Sequence, residues 1–287
     1  PLLGVAACGA LTVGLVQLAV ASEPISPATL LGVGTVGLVL LVLYEARTAH
    51  PLVHLSLFRN RVFSGVNAMT LFLYGALSAV LFLLPFDLIA RRGLSATQVG
   101  LTLAPFGVII GALSSVAGKW ADRHGTRTPL VFGSLLLAVA TSALAINVES
   151  FWSGVVGPIV LMSLAMGIVV SPLTTAVMNA APDAHAGAAS GINNATSRLA
   201  GLFAVAIAGA LANVLFHRGL DGVTMQAGIP SFGDLPALED PARAVTEAAF
   251  DHAYSTAMWM LAAWNIAGAL LAWRFAPTRA AAQANTS

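Results

Sequence analysis

The side chains able to do chemistry in this chain are polar groups set inside long apolar runs. Asn67, Thr70, Tyr74 and Ser78 recur at spacings of three and four, which places them on one face of a helix. A second group, Asn193, Asn194, Thr196, Ser197 and Arg198, follows Gly187 and Gly191. These residues offer hydrogen bonding and one fixed positive charge. In lipid such groups turn inward, either to bond a neighbouring helix or to meet a ligand in a wet cavity, and both uses remain open. Reactive constellations are missing. The histidines His50, His54, His124, His185, His217 and His252 lie in connections or at span ends, and none forms a ligand-spaced pair. The single cysteine, Cys8, sits in an apolar run, and no serine–histidine–acid grouping, phosphate-cradling glycine loop or nucleotide-binding lysine is found. No catalytic residue, metal or cofactor is therefore expected, and the chain is not read as an enzyme.

The elements that must position those residues follow from composition. Only 9% of the 287 residues are charged and 57% are hydrophobic, whereas an ordinary soluble domain is about a quarter charged. So few charges exclude a soluble protein of normal surface, and so much apolar content excludes disorder. A formal net charge of +1 gives no basic field for nucleic acid. Eight stretches approach or exceed the roughly 20 residues that cross a bilayer as a helix: Leu2 to Ala21, Ala28 to Tyr44, Val62 to Phe86, Ser95 to Gly118, Thr128 to Val148, Ser150 to Pro182, Ala186 to Phe216 and Ala253 to Trp273. The second is the shortest. The sixth is too long for one straight span, and Pro158 and Pro172 are expected to bend or end it. None alternates like a membrane barrel strand, so the fold class is all-α: a polytopic membrane helix bundle of about eight transmembrane helices.

Basic residues in the connections set the orientation. Arg47, Arg59, Arg61, Lys119, Arg123, Arg127, Arg274 and Arg279 fall on one side; Arg91, Arg92, Arg218 and Arg243 fall on the other. The richer side is expected in the cytoplasm of a prokaryotic inner or plasma membrane, with both chain ends on it. The long connection, 217–252, carries Asp221, Asp234, Glu239, Asp240, Glu247 and Asp251; a solvated extracytoplasmic hairpin with a short helix near 241–249 is expected there. The first stretch has no basic region before it and so does not read as a signal peptide. Because the chain starts at Pro1, it is expected to be a fragment or a processed product.

Three further features carry weight. Gly100, Ala104, Gly107, Gly111, Ser115 and Gly118 form a small-residue seam that suits close helix packing, or sliding between helices. Arg198 would cost about 2.5–3.5 kcal/mol at mid-span, so a position near a helix end is expected, as anchor or as functional charge. Asp87, just beyond Pro85, is the carboxylate nearest to a span interior. Between the fourth and fifth stretches, Gly118 to Pro129 reads as a tight hairpin, with Gly125 at the turn and Asp122 free to pair with Arg123 or Arg127 or to sit at a helix N-terminus.

That hairpin, with Gly118, Asp122, Arg123, Gly125 and Arg127 in order, resembles the loop motif of the major facilitator superfamily in its second-half copy. Ala189 to Gly201, and Glu45 to Phe63 with His50-Pro51-Leu52 and Leu55 to Phe63, resemble segments of the superfamily's fourteen-span drug:proton antiporter group, the EmrB/QacA-like transporters. Ala200, Ala204 and Asp87 depart from the residues common there. The resemblance implies two extra transmembrane helices at 1–46, a cytoplasmic connection at 47–61, a C-terminal six-helix bundle at 62–276 and a cytoplasmic tail at 277–287. It also implies an N-terminal six-helix half, absent from this chain, that holds most proton-coupling carboxylates. Asn67, Tyr74, Thr102, Met162, Met166 and Asn194 would line a cavity for amphipathic substrates, with plain core packing the other reading for the methionines. Gly118, Asp122, Arg123, Gly125 and Arg127 would form a cytoplasmic gate. The expected partners are the lipid bilayer, a small amphipathic or cationic substrate, protons and the absent half. The expected function is part of a proton-coupled exporter; the alternative is a truncated or partner membrane protein without transport of its own.

Overall fold

The computed structural model describes residues 2–17, 26–48, 54–146, 148–220, 232–233 and 242–278. They form eight α-helices: α1 (Leu2–Gln17), α2 (Pro27–Arg47), α3 (Arg61–Phe86), α4 (Ala96–His124), α5 (Arg127–Ile146), α6 (Gly157–Asn179), α7 (Ala186–Gly219) and α8 (Ala242–Phe275). Seven of the described helical segments are long and apolar enough to cross a membrane. As expected, α2 is among them, whereas the apolar helix at α1 is shorter and the residues that follow it lie outside those described.

Local chemistry sets the helix ends. Ser26 caps α2, accepting from the Thr29 amide, and Pro27 occupies the first turn, where its missing N–H costs nothing. Asn60 caps α3 through Oδ1, 2.9 Å from the Val62 amide, and its Nδ2 donates to the Ala180 carbonyl at the end of α6. Ser95 and Gln98 bond reciprocally as a capping box for α4. Gly125 ends α4 at φ +83°, a conformation that favours glycine.

The helices pack as one bundle. α3 lies against α7 and α8, α5 against α6 and α8, and α4 against α6; α1 pairs with α2 and also touches α7. The core is built from Phe63, Met69, Leu73, Leu83, Leu137, Met162, Met166, Phe216, Phe250 and Tyr254 among others. Hydrogen bonds cross the apolar interfaces: Ser255 Oγ donates to the Ala145 carbonyl at 2.6 Å, and Asn265 Nδ2 to Thr141 Oγ1 at 3.2 Å, both joining α5 and α8. Outward-facing Trp152 and Trp273 begin α6's lead-in and end α8, the level at which aromatic residues anchor to a membrane interface.

One expectation about elements holds in part and one is corrected. The sixth stretch divides into a π-turn at Trp152–Val156 and α6, which ends at Asn179; Pro158 sits in its first turn and Pro172 inside it. The short helix foreseen near 241–249 is the start of α8 itself, so helix begins at Ala242 and not at Ala253. Its alanines, arginine and glutamate are strong helix formers, and Arg243 pairs with Glu247 one turn on, Nε to Oε1 at 2.8 Å. The connection is correspondingly shorter than 217–252. Within it Phe232 is stacked on Phe250 at 4.7 Å between ring centroids and lies edge-on to Phe216 at 5.6 Å.

Candidate functional site

The polar stripe of α3 turns inward. Asn67 is 4% exposed, and its Nδ2 donates to the Phe63 carbonyl on the same helix at 2.9 Å. Its Oδ1 is buried and has no hydrogen-bond partner among the described residues. The Thr70 hydroxyl lies 3.0 Å from Asn193 Oδ1 on α7 and equally close to its own helix's Val66 carbonyl. Tyr74 is half-buried and packs against the core. Gly75 and Gly201 allow the two helices to approach closely: a Cβ on Gly201 would lie 2.7 Å from Ser78 Oγ, and one on Gly75 would lie 3.2 Å from the Ala200 carbonyl.

The next residue of α7 behaves differently. Asn194 is exposed, as are Gly187, Gly191, Arg198 and Leu202, which share its face. An uncovered amide and guanidinium cannot rest against hydrocarbon without a large cost. This face therefore requires a wet cavity, a headgroup or another protein surface. Adjacent residues on a helix point about 100° apart, which is why Asn193 bonds inward while Asn194 faces out.

The remaining residues singled out from sequence do not converge on that face. Thr102 donates to the Gln98 carbonyl one turn back on α4. Met162 and Met166 are 0% and 1% exposed and sit in the hydrophobic core; here they fill space between helices and do not line an open wall, the packing reading of the two. The α4 seam is also not packed. No atom lies within 4 Å of a Cβ built at Gly100, Gly107 or Gly111, and Leu101, Val108 and Val116 are exposed beside them. At the foot of the same helix Gly118 does close, with Ser171 Oγ 2.9 Å from its would-be Cβ.

The 118–127 loop separates into an anchored part and a free part. Arg127 donates from Nε to the Ala276 carbonyl at 2.8 Å and from its backbone amide to the Pro277 carbonyl at 3.2 Å. Gly125 pairs with Thr278 in an isolated backbone bridge. Arg127 thus serves the carbonyl end of α8, where a cation is favoured. Asp122 and Arg123 are exposed and make no ion pair among the described residues; the pairing of Asp122 with Arg123 or Arg127 does not occur.

At the opposite end Asp87 is 2% exposed, buried beside two arginines. Arg92 Nε lies 2.8 Å from Asp87 Oδ2, and Arg91 bonds Asp251 of α8 at 2.9 Å. An open cavity of about 490 Å³ adjoins this group, lined by Arg91, Arg92, Leu94, Glu149, Phe151 and Glu247. Sequence reading singled out Asp87 but not its partners. The four-residue spacing to Arg91 was visible, whereas Asp251 lies far along the chain.

Comparison with known proteins agrees with this architecture. The family model of the Major Facilitator Superfamily matches residues 2–205 and 66–287. Lincomycin resistance protein of Streptomyces lincolnensis is 34% identical over 58% of this chain and 35% of its own length. Multidrug export protein EmrB of Escherichia coli (strain K12) is 30% identical over 61% of this chain and 35% of its own. Quinolone resistance protein NorB of Staphylococcus aureus (strain MRSA252) is 27% identical over 64% and 40%. The chain thus spans well under half the length of these relatives. A bacterial homolog of the human lysosomal transporter Spinster, in an inward-facing and occupied conformation, shares the fold at TM-score 0.62, with 14% identity over 88% of this chain and 58% of that one. A bundle of apolar helices with these matches is a multi-pass membrane protein, and the chain belongs to the major facilitator superfamily.

Proposed function

We propose that this chain is the C-terminal portion of a proton-coupled exporter of amphipathic or cationic small molecules. It would sit in a prokaryotic plasma membrane with both ends and the 118–127 loop in the cytoplasm. The observation that carries the reading is the uncovered face of α7, where Asn194 and Arg198 stand on a helix that must lie in the membrane. Polar groups there suit the wall of a central pathway. The bare glycine face of α4 suits a second helical bundle, the six-helix half expected in a full-length protein. Relatives named for multidrug export, lincomycin resistance and quinolone resistance support the substrate class.

In this reading the two bundles rock about the pathway, and free Asp122 and Arg123 favour the state in which the cytoplasmic side is closed. Asn67, Tyr74 and Thr102 are assigned to the wall by the same resemblance. The coupling carboxylates are assigned to the absent half. The test is dye export by cells producing the complete gene product, with and without a protonophore. Export that collapses with the proton gradient and falls on Arg198→Ala and Asn194→Ala supports the proposal. Export indifferent to the gradient removes the coupling, and export indifferent to both substitutions removes the site. The second reading, a membrane protein that acts as a partner without transport of its own, draws on the same bare α4 face. It predicts no export by any form of the complete gene product and co-purification with another membrane protein.

A further inference from the structure

Helix α3 does not stop where its apolar residues stop. Beyond Pro85 it widens into a π-turn, Asp87–Arg91, and this turn carries Asp87 into the interior. The carboxylate is held from two sides: Arg92 Nε lies 2.8 Å from Oδ2, and one terminal nitrogen of Arg91 lies 3.6 Å from Oδ1. Arg92 donates from its other nitrogens to the carbonyls of Val148 and Glu149, both at 3.0 Å. The Nε of Arg91 lies closer to Asp251 of α8, at 2.9 Å. The group therefore joins the tip of α3 to α8 and to the connection between α5 and α6.

Arg91 is shared unequally between two carboxylates, the closer one on another helix. Asp87 Oδ1 accepts no hydrogen bond among the described residues, and neither does the hydroxyl of Tyr254 have a partner. Tyr254 is 1% exposed and stands one turn beyond Asp251 on α8, as Asp87 stands one turn before Arg91 at the tip of α3, and the two helices pack against each other. A buried hydroxyl without a partner is disfavoured, since folding removes it from water and returns nothing. Here an orphaned donor and an orphaned acceptor of matching chemistry lie on two helices that pack together. π-Turns recur where a helix can shift register, and the adjoining cavity leaves Arg91 and Arg92 room to turn.

We propose that Asp87, Arg91 and Tyr254 form a two-position switch that sets where the tip of α3 rests against α8. In the arrangement described here Arg91 spans Asp87 and Asp251. In the other, Arg91 belongs wholly to Asp251, the Tyr254 hydroxyl donates to Asp87 Oδ1, and the π-turn takes up the movement. Arg92 stays on Asp87 Oδ2 in both, and what the switch moves is a hydrogen bond. Asp87 and Tyr254 are positioning residues in this account. The link to export rests on the transport reading above; the switch itself does not.

The test uses the purified complete gene product with Leu94→Cys, Cys8 and every other native cysteine being replaced by serine, so that the new thiol reports on the segment just beyond the π-turn. Tyr254→Phe removes the orphaned hydroxyl of the present arrangement and the donor of the other. It should hold or raise the melting temperature by about 2–4 °C while slowing maleimide labelling of the Leu94→Cys thiol and lowering export, each by about threefold or more. Asp87→Asn should lower the melting temperature and abolish the effect of Tyr254→Phe on labelling. If Tyr254→Phe lowers the melting temperature, its hydroxyl is already satisfied and the switch is refuted. Unchanged labelling refutes it equally. Altered labelling in a protein that exports nothing leaves the switch standing and overturns the transport reading instead.

Discussion

The Thr70 hydroxyl lies 3.0 Å from the amide oxygen of Asn193, a polar contact between α3 and α7 at the level where both cross the membrane. Hydrogen bonds of this kind are worth about 0.6 kcal/mol on average, with a maximum near 1.7. Thr70→Val and Asn193→Leu should each destabilise the bundle modestly, and the double variant should cost less than the two single costs combined. A double-mutant cycle on thermal unfolding reads this directly. Additive costs would mean that Thr70 bonds its own Val66 carbonyl and Asn193 bonds elsewhere.

Arg127 presents the opposite case, a residue of a gate-like motif whose side chain is already used. Its Nε donates to the Ala276 carbonyl at 2.8 Å, so Arg127→Ala should cost about 1.5–3 kcal/mol, the range for hydrogen bonds to charged groups. Arg127→Lys keeps a cation near the α8 carbonyls, worth about 0.3–1 kcal/mol, and should recover part of the loss. Asp122→Asn should leave the melting temperature unchanged while lowering export. Equal stability losses at the two positions would show that Asp122 is also structural.

Met166, 1% exposed, is surrounded by other core side chains. Met166→Ala should therefore cost about 2–5 kcal/mol, the usual range for a large-to-small change that leaves a cavity. Met166→Leu should be tolerated, because a volume-conserving swap costs under about 1.5 kcal/mol. A pathway-lining methionine would respond in the other way, with the preference among exported dyes changed and the melting temperature intact.

What could be read from sequence was governed by range. The number of helices and their faces followed from apolar run lengths and three-and-four spacing, because both are local. Pro158 and Gly125 marked helix ends for the same reason, whereas Pro172 lies inside α6. The start of α8 was missed because Ala242 to Ala249 is helical by propensity and pairing but not apolar enough to read as a span. The neighbours of each face were not legible. Asn193 and Asn194 look alike in the chain and are separated by rotation alone; Arg127 meets a carbonyl 149 residues away. A methionine at helical spacing fits a core and a cavity wall equally well until the facing helices are known.

Gly75 of α3 and Gly201 of α7 differ from Gly107 and Gly111 of α4 in what surrounds them. At Gly75 an added Cβ meets the Ala200 carbonyl and the Ala204 methyl, both at 3.2 Å. Backbone cannot give way easily there, and Gly75→Val should cost about 1–3 kcal/mol through overpacking. Gly107 and Gly111 meet nothing within 4 Å, so Gly107→Val and Gly111→Val should leave the stability of this bundle almost unchanged when it is produced alone. In the complete gene product the same two substitutions should be damaging if another helix covers that face, because a small-residue seam has value only when a backbone closes on it. Thermal unfolding of both forms, side by side, makes the comparison. Loss confined to the complete form places a partner helix on α4; loss in neither leaves the seam facing lipid.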